Sequence, residues 1–228
     1  MIRREMLGLL GAGAAVLVLP GCREMFPKRF RFKMTVEVDT PQGVRSGSSV
    51  MEMSVALATF KLPDSHAVDL KFKGEAVAVD LAGGTMFALI GMDDFEAIVI
   101  DTFDPTIPRA KKLVALFEEL GQHRSIGRSV TILPNKYPRL VRFRDISNPL
   151  SVELVDPNDL AKSFGVGVKL KRIFLNVVDE PVTKGIERRL RAIGIEPNHG
   201  LDRTEGVTVR RTLAQQLGYS DFSRGVQK

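Results

Sequence analysis

Cysteine is almost missing from this chain: Cys22 is the only one in 228 residues. A single thiol excludes an intramolecular disulfide, and its position excludes cysteine-ligated zinc and cysteine nucleophiles anywhere beyond residue 22. Histidine is nearly as scarce. His66, His123 and His199 stand far apart, and none has a second histidine or a cysteine at metal-ligand spacing. There is no Gly-x-Ser-x-Gly elbow and no EF-hand loop, and Gly11-Ala12-Gly13 and Gly165-Val166-Gly167 both stop short of a dinucleotide fingerprint. Asp64-Ser65-His66 holds the residue types of a hydrolytic triad, but a triad is assembled in space and sequence neighbours seldom face one another. The densest acidic cluster, Asp93, Asp94, Glu96, Asp101 and Asp104, reads as a solvated rim. The sequence therefore assigns no catalytic residue, no metal ligand and no cofactor.

A long apolar run is missing too. Met6 to Leu19 has 14 residues, short of the ~20 that cross a bilayer and within the ~7 to 15 of a signal-peptide core. It follows the basic pair Arg3-Arg4 and leads into Pro20-Gly21-Cys22. Leu19-Pro20-Gly21-Cys22 resembles the lipobox of bacterial lipoproteins at Leu19, Gly21 and Cys22, with Pro20 departing from the usual residue. Arg3-Arg4-Glu5-Met6-Leu7 resembles a relaxed twin-arginine motif. The resemblance implies that Cys22 is lipidated and becomes the first mature residue, with 1–21 a signal peptide and 22–29 a tether. The domain would then stand on the periplasmic face of a bacterial membrane, inner or outer.

With 44% hydrophobic and 26% charged residues, the chain has the composition of a folded globular protein. Removing Arg3, Arg4 and Glu5 takes the formal net charge from +6 to +5. That mild excess suits an anionic neighbour such as lipid headgroups. Nucleic acid, the default partner of a basic cytosolic domain, is not expected for an exported one.

Alternation dominates the first half. Phe30, Phe32, Met34, Val36 and Val38 interleave with Arg31, Lys33, Thr35, Glu37 and Asp39, the period of a half-buried strand. Thr40-Pro41-Gln42-Gly43 is a turn, and the chain returns through Met51, Met53, Val55 and Leu57, which predicts a long hairpin. Ser46-Gly47-Ser48-Ser49 in the second arm reads as a bulge or strand edge, or as a small-residue patch under a close approach. Leu70 to Leu81 reads as one strand whose phase flips at a bulge near Gly74, Thr85 to Ile90 pairs back on it, and Phe95 to Asp101 is a closing strand. Asp104-Pro105, or Pro108 a turn later, starts a helix carrying Ala110, Leu113, Val114, Phe117 and Leu120. Strands over Leu140 to Arg144, Ser151 to Val155 and Lys169 to Val178 follow. Between and after them come helices from Asp156, from Pro181 and over Thr208 to Leu217, and then a polar tail.

This order predicts an α+β fold, an antiparallel β-rich N-terminal half packed with a mixed strand-helix C-terminal half. Residues 30–101 form the β-rich subdomain and 102–228 the α+β subdomain, or the two make one domain. Val36 to Ser49 and Leu140 to Arg189 also resemble an uncharacterised proteobacterial envelope family, which implies nothing about chemistry. Arg31, Lys33, Arg142, Arg144, Arg188 and Arg189 lie outward of apolar faces and are the candidate contacts for an anionic surface. The expectation is a membrane-tethered envelope lipoprotein with a non-enzymatic binding role toward an envelope protein, lipid or polymer. The competing readings are an exported hydrolase using His66 or His199 with carboxylates from the Asp93 to Asp104 cluster, and a cytosolic basic module.

Overall fold

The computed structural model describes residues 26–57, 68–91, 95–106, 110–197, 199–202 and 211–225. Arg3, Arg4, Leu19, Gly21, Cys22 and the Asp64-Ser65-His66 loop lie outside them. The fold is α+β, with an antiparallel β-rich N-terminal half and a mixed C-terminal half.

The predicted hairpin forms from β1 (Lys28–Thr40) and β2 (Gly43–Leu57), turning at Pro41-Gln42 with Gly43 at φ 107°. Every apolar residue of the β1 alternation, Phe30 through Val38, is buried. Two strands flank the pair, β3 (Val68–Glu75) on β2 and β9 (Lys169–Val178) on β1. The short β10 (Ser223–Arg224) on β3 and β6 (Ser129–Thr131) on β9 complete a six-stranded antiparallel sheet. A second sheet holds β4 (Val77–Leu81), β5 (Gly84–Ala88), β7 (Leu140–Phe143) and β8 (Val152–Leu154) in that order. Both sheets draw strands from either side of residue 101.

Residues 70–81 are thus not one bulged strand. The phase flip marks the point where the chain leaves one sheet for the other, at Ala76, whose N–H donates to the Phe222 carbonyl at 2.7 Å. Gly74 is tightly enclosed there: a Cβ would lie 2.7 Å from the Met51 side chain and 2.9 Å from Phe72. Gly47 proves to lie under a close approach, because a Cβ on it would come within 2.0 Å of the Ala78 carbonyl oxygen. The second sheet crosses β2 at that point.

Alternation along the second sheet sends its two faces into different cores. Val77, Val79, Met86, Ala88 and Leu140 pack with the inner face of the large sheet. Phe87, Val141, Phe143 and Val152 face the other way, onto α4 (Ile186–Ala192), α5 (Leu213–Gln216) and α6 (Tyr219–Phe222). The rest of the large sheet's inner face is covered by α1 (Phe95–Phe103) and α2 (Ala110–Leu120). Phe30 is the hinge of that contact, edge-on to Phe103 at 5.7 Å and to Phe117 at 4.9 Å.

Four expectations need correction. Phe95 to Asp101 is the helix α1, not a strand: Phe95, Val99 and Phe103 recur every four residues and all are buried. This packing overrides the strand preference of Ile98-Val99-Ile100. The helix expected from Pro181 begins only at Ile186, because Thr183 is occupied with β2, its N–H donating to the Val50 carbonyl at 3.0 Å. The region after Leu217 is not a polar tail; Tyr219 and Phe222 are buried and β10 closes the edge of the large sheet. The helix expected from Asp156 is shorter, a single turn α3 (Ala161–Phe164), and Gly165 at φ 103° ends it at the predicted stop.

Candidate functional site

At one pole of the large sheet, where β1 begins and β9 ends, the segment following α2 leaves a cleft. A cavity of about 260 Å³ is lined there by Arg29, Arg31, Glu52, Gln122, His123 and Ile126, with Val178 and Asp179 on its far side. A second, of about 570 Å³, adjoins it through Ile126, Val177, Val178 and Asp179 and reaches Lys33 and Glu180. Gly121 makes the geometry feasible. A Cβ on it would meet the Arg29 carbonyl oxygen at 2.5 Å, so β1 passes directly over the end of α2. Three backbone bonds then fix the segment: Ser125 N–H to Gln122, Gly127 N–H to Val177, and Val177 N–H to Arg128.

The cleft carries both signs of charge. Arg31 Nε donates to Glu52 at 2.9 Å, and Lys33 pairs with Glu180. On the α2 side Lys28 pairs with Glu118 at 3.3 Å and Arg128 with Glu119 at 3.1 Å. Among the described residues Arg29, Arg124 and Asp179 have no ion-pair partner. The floor is apolar, made by Val177, Val178 and Ile126, and Ile126 is 42% exposed.

The six basic candidates do not share one surface. Arg31 and Lys33 stand together at this cleft. Arg142 and Arg144 lie on β7 and share Glu153; Arg142 also donates to the Ser163 carbonyl and lies 5.3 Å over the Phe164 ring. Arg188 and Arg189 are on α4, where Arg189 makes two 2.8 Å bonds to Asp80 and, with Thr85, holds that carboxyl below its usual range. Lys171 and Arg172 are likewise turned onto Glu37, whose pKa the Arg172 hydrogen bonds lower. Five of the six are therefore neutralised locally.

The residues of the hydrolase reading are dispersed. His66 lies outside the described residues, and His199 is exposed with its ring Nδ1 2.9 Å from the Pro197 carbonyl. Asp93 and Asp94 lie outside the described residues. Glu96 is paired with Arg224, Asp101 with Lys136, and Asp104 accepts from Thr106. Among the described residues no group of three or more His, Cys, Asp or Glu could hold a metal ion, and no helix is long and apolar enough to cross a membrane.

Sequence reasoning found Arg31 and Lys33 but missed Gln122, Ile126, Val178 and Asp179. Their only sequence signal is the helix stop at Gly121, which says that the chain turns and not what it turns toward. Comparison with known proteins finds no match: no family model, no curated protein and no solved structure aligns with the chain.

Proposed function

We propose that this chain is an envelope lipoprotein, tethered through Cys22, whose domain acts by binding through the cleft at its N-terminal pole. The observation that carries the proposal is where the chain joins the domain. Phe26, the first described residue, lies only four positions after Cys22, and β1 enters over Gly121 at the rim of the cleft. Four residues reach at most ~14 Å. A lipid on Cys22 therefore holds this pole close to the membrane surface. The cleft's mixture of apolar floor and charged rim suits an amphipathic ligand.

Two acyl chains anchor a protein stably, each buried CH₂ adding ~0.8 kcal/mol. Metabolic labelling with an alkyne fatty acid tests the tether in the cell. The wild-type chain is expected to take up label and sediment with membranes, and Cys22→Ala to do neither. Equal absence of label from both chains refutes the lipoprotein reading.

A further inference from the structure

Two large apolar side chains stand exposed at the cleft pole, Phe26 at 70% and Ile126 at 42%. Beside them the charges that have no partner among the described residues are of opposite sign, Arg29 and Arg124 against Asp179. The other four cations at the pole are each answered by an acid, so the attraction to a uniformly anionic surface is modest. Arg29 and Asp179 line the same cavity of about 260 Å³. One cationic and one anionic group around a small cavity, beside exposed apolar residues, match a headgroup that carries both a phosphate and an ammonium.

We infer that this pole docks on the membrane and that its cleft takes a zwitterionic phospholipid headgroup, the phosphate at Arg29 and the ammonium at Asp179. Phe26 and Ile126 then enter the boundary between headgroups and acyl chains, where aromatic and aliphatic side chains are favoured. This pose rests on the tether reading and names the ligand class of the same cleft. The opposite end of the hairpin cannot share the contact. Val44 pairs with Asp39 near the far end of the 13-residue β1, which at ~3.3 Å per residue puts the exposed Val44 about 36 Å from Lys28.

The chain has no tryptophan, so a single introduced one reports its own surroundings. The full lipidated chain is prepared as Phe26→Trp, Ile126→Trp and Val44→Trp, floated with phosphatidylethanolamine vesicles, and quenched by phosphatidylethanolamine brominated on its acyl chains. Strong quenching at 26 and 126 and none at 44 is expected. Quenching at 26 and 126 no greater than at 44, in chains that float, overturns the pose and leaves the tether standing. Failure of the chain to float overturns the tether, and the pose with it. Replacing phosphatidylethanolamine by phosphatidylglycerol is expected to weaken quenching at 126, and Asp179→Asn to abolish that difference. Equal quenching in the two lipids before the substitution removes the headgroup assignment.

Discussion

Glu75 is the most exposed of all the fold's residues to a decisive test, although its carboxylate is among the most buried, at 2% relative exposure. It closes β3 and accepts two backbone bonds from the start of α4, from Gly185 N–H at 2.9 Å and Ile186 N–H at 3.1 Å. α4 has no capping side chain of its own, so a strand from the large sheet supplies the cap. Glu75→Ala removes that cap and leaves a buried N–H without an acceptor. Losing a cap costs about 1 kcal/mol and an unsatisfied buried donor about 1 to 3 more, so a loss of roughly 2 to 4 kcal/mol is expected. Glu75→Gln keeps one acceptor oxygen and buries no charge, and its cost should be under about 1 kcal/mol. The pH dependence separates the two effects. Burial raises the Glu75 pKa, against the lowering by the two N–H donors, so the folded state binds this proton more tightly than the unfolded chain does. Its contribution to stability is then fullest below the ordinary glutamate pKa and is lost as pH rises through the raised folded value. Urea midpoints for the wild type, Glu75→Gln and Glu75→Ala, at about pH 5 and about pH 8, read both terms. The wild type should gain on Glu75→Gln at the lower pH. A Glu75→Ala change within about 0.5 kcal/mol of wild type, the range of an ordinary surface substitution, refutes the capping role.

Two further positions give outcomes of opposite sign. Gly47→Ala forces a methyl within 2.0 Å of the Ala78 carbonyl oxygen and should cost at least the ~1 to 3 kcal/mol of an overpacked core, read as a lowered thermal midpoint. Ser49, 2% exposed, has a buried hydroxyl with no hydrogen-bond partner among the described residues, so Ser49→Ala should raise stability by about 1 kcal/mol in the same urea titration.

The fold was legible wherever one face of an element meets solvent. β1 shows this best: its outer residues are charged or polar, its inner ones apolar, and the pattern alone predicts both the strand and its buried set. Legibility failed where the signal is shared or too short. Around Gly74 the change of phase is real, but a bulge and a passage between sheets produce the same pattern, and only the contact of Ala76 with Phe222 separates them. In α1 the β-branched run Ile98-Val99-Ile100 speaks for a strand, while Phe95, Val99 and Phe103 speak for a helix over barely two turns. Tyr219 and Phe222 sit in a four-residue helix, too brief to display any period, and are buried because β10 pairs with a strand far back in the chain.

The candidate cleft divides along the same line, and the division is instructive because part of its electrostatics could have been counted out in advance. A two-residue turn at Pro41-Gln42 sets Thr40 opposite Gly43, and stepping back nine residues on each arm sets Arg31 opposite Glu52. Once the turn is recognised, that ion pair follows from the register, since opposite-charge cross-strand neighbours on one face attract. The pairing of Lys33 with Glu180 does not follow. It depends on β9, whose register against β1 shifts between Glu37 and Val38, and a one-residue slip would send every side chain of β9 to the other face. Asp179 follows Val178, which pairs with Arg31, so its place in the cleft is set by the same long-range pairing. The local turn thus fixes the Arg31–Glu52 pair, while the long-range pairing of β9 with β1 supplies Glu180 to Lys33 and brings Asp179 to the cleft.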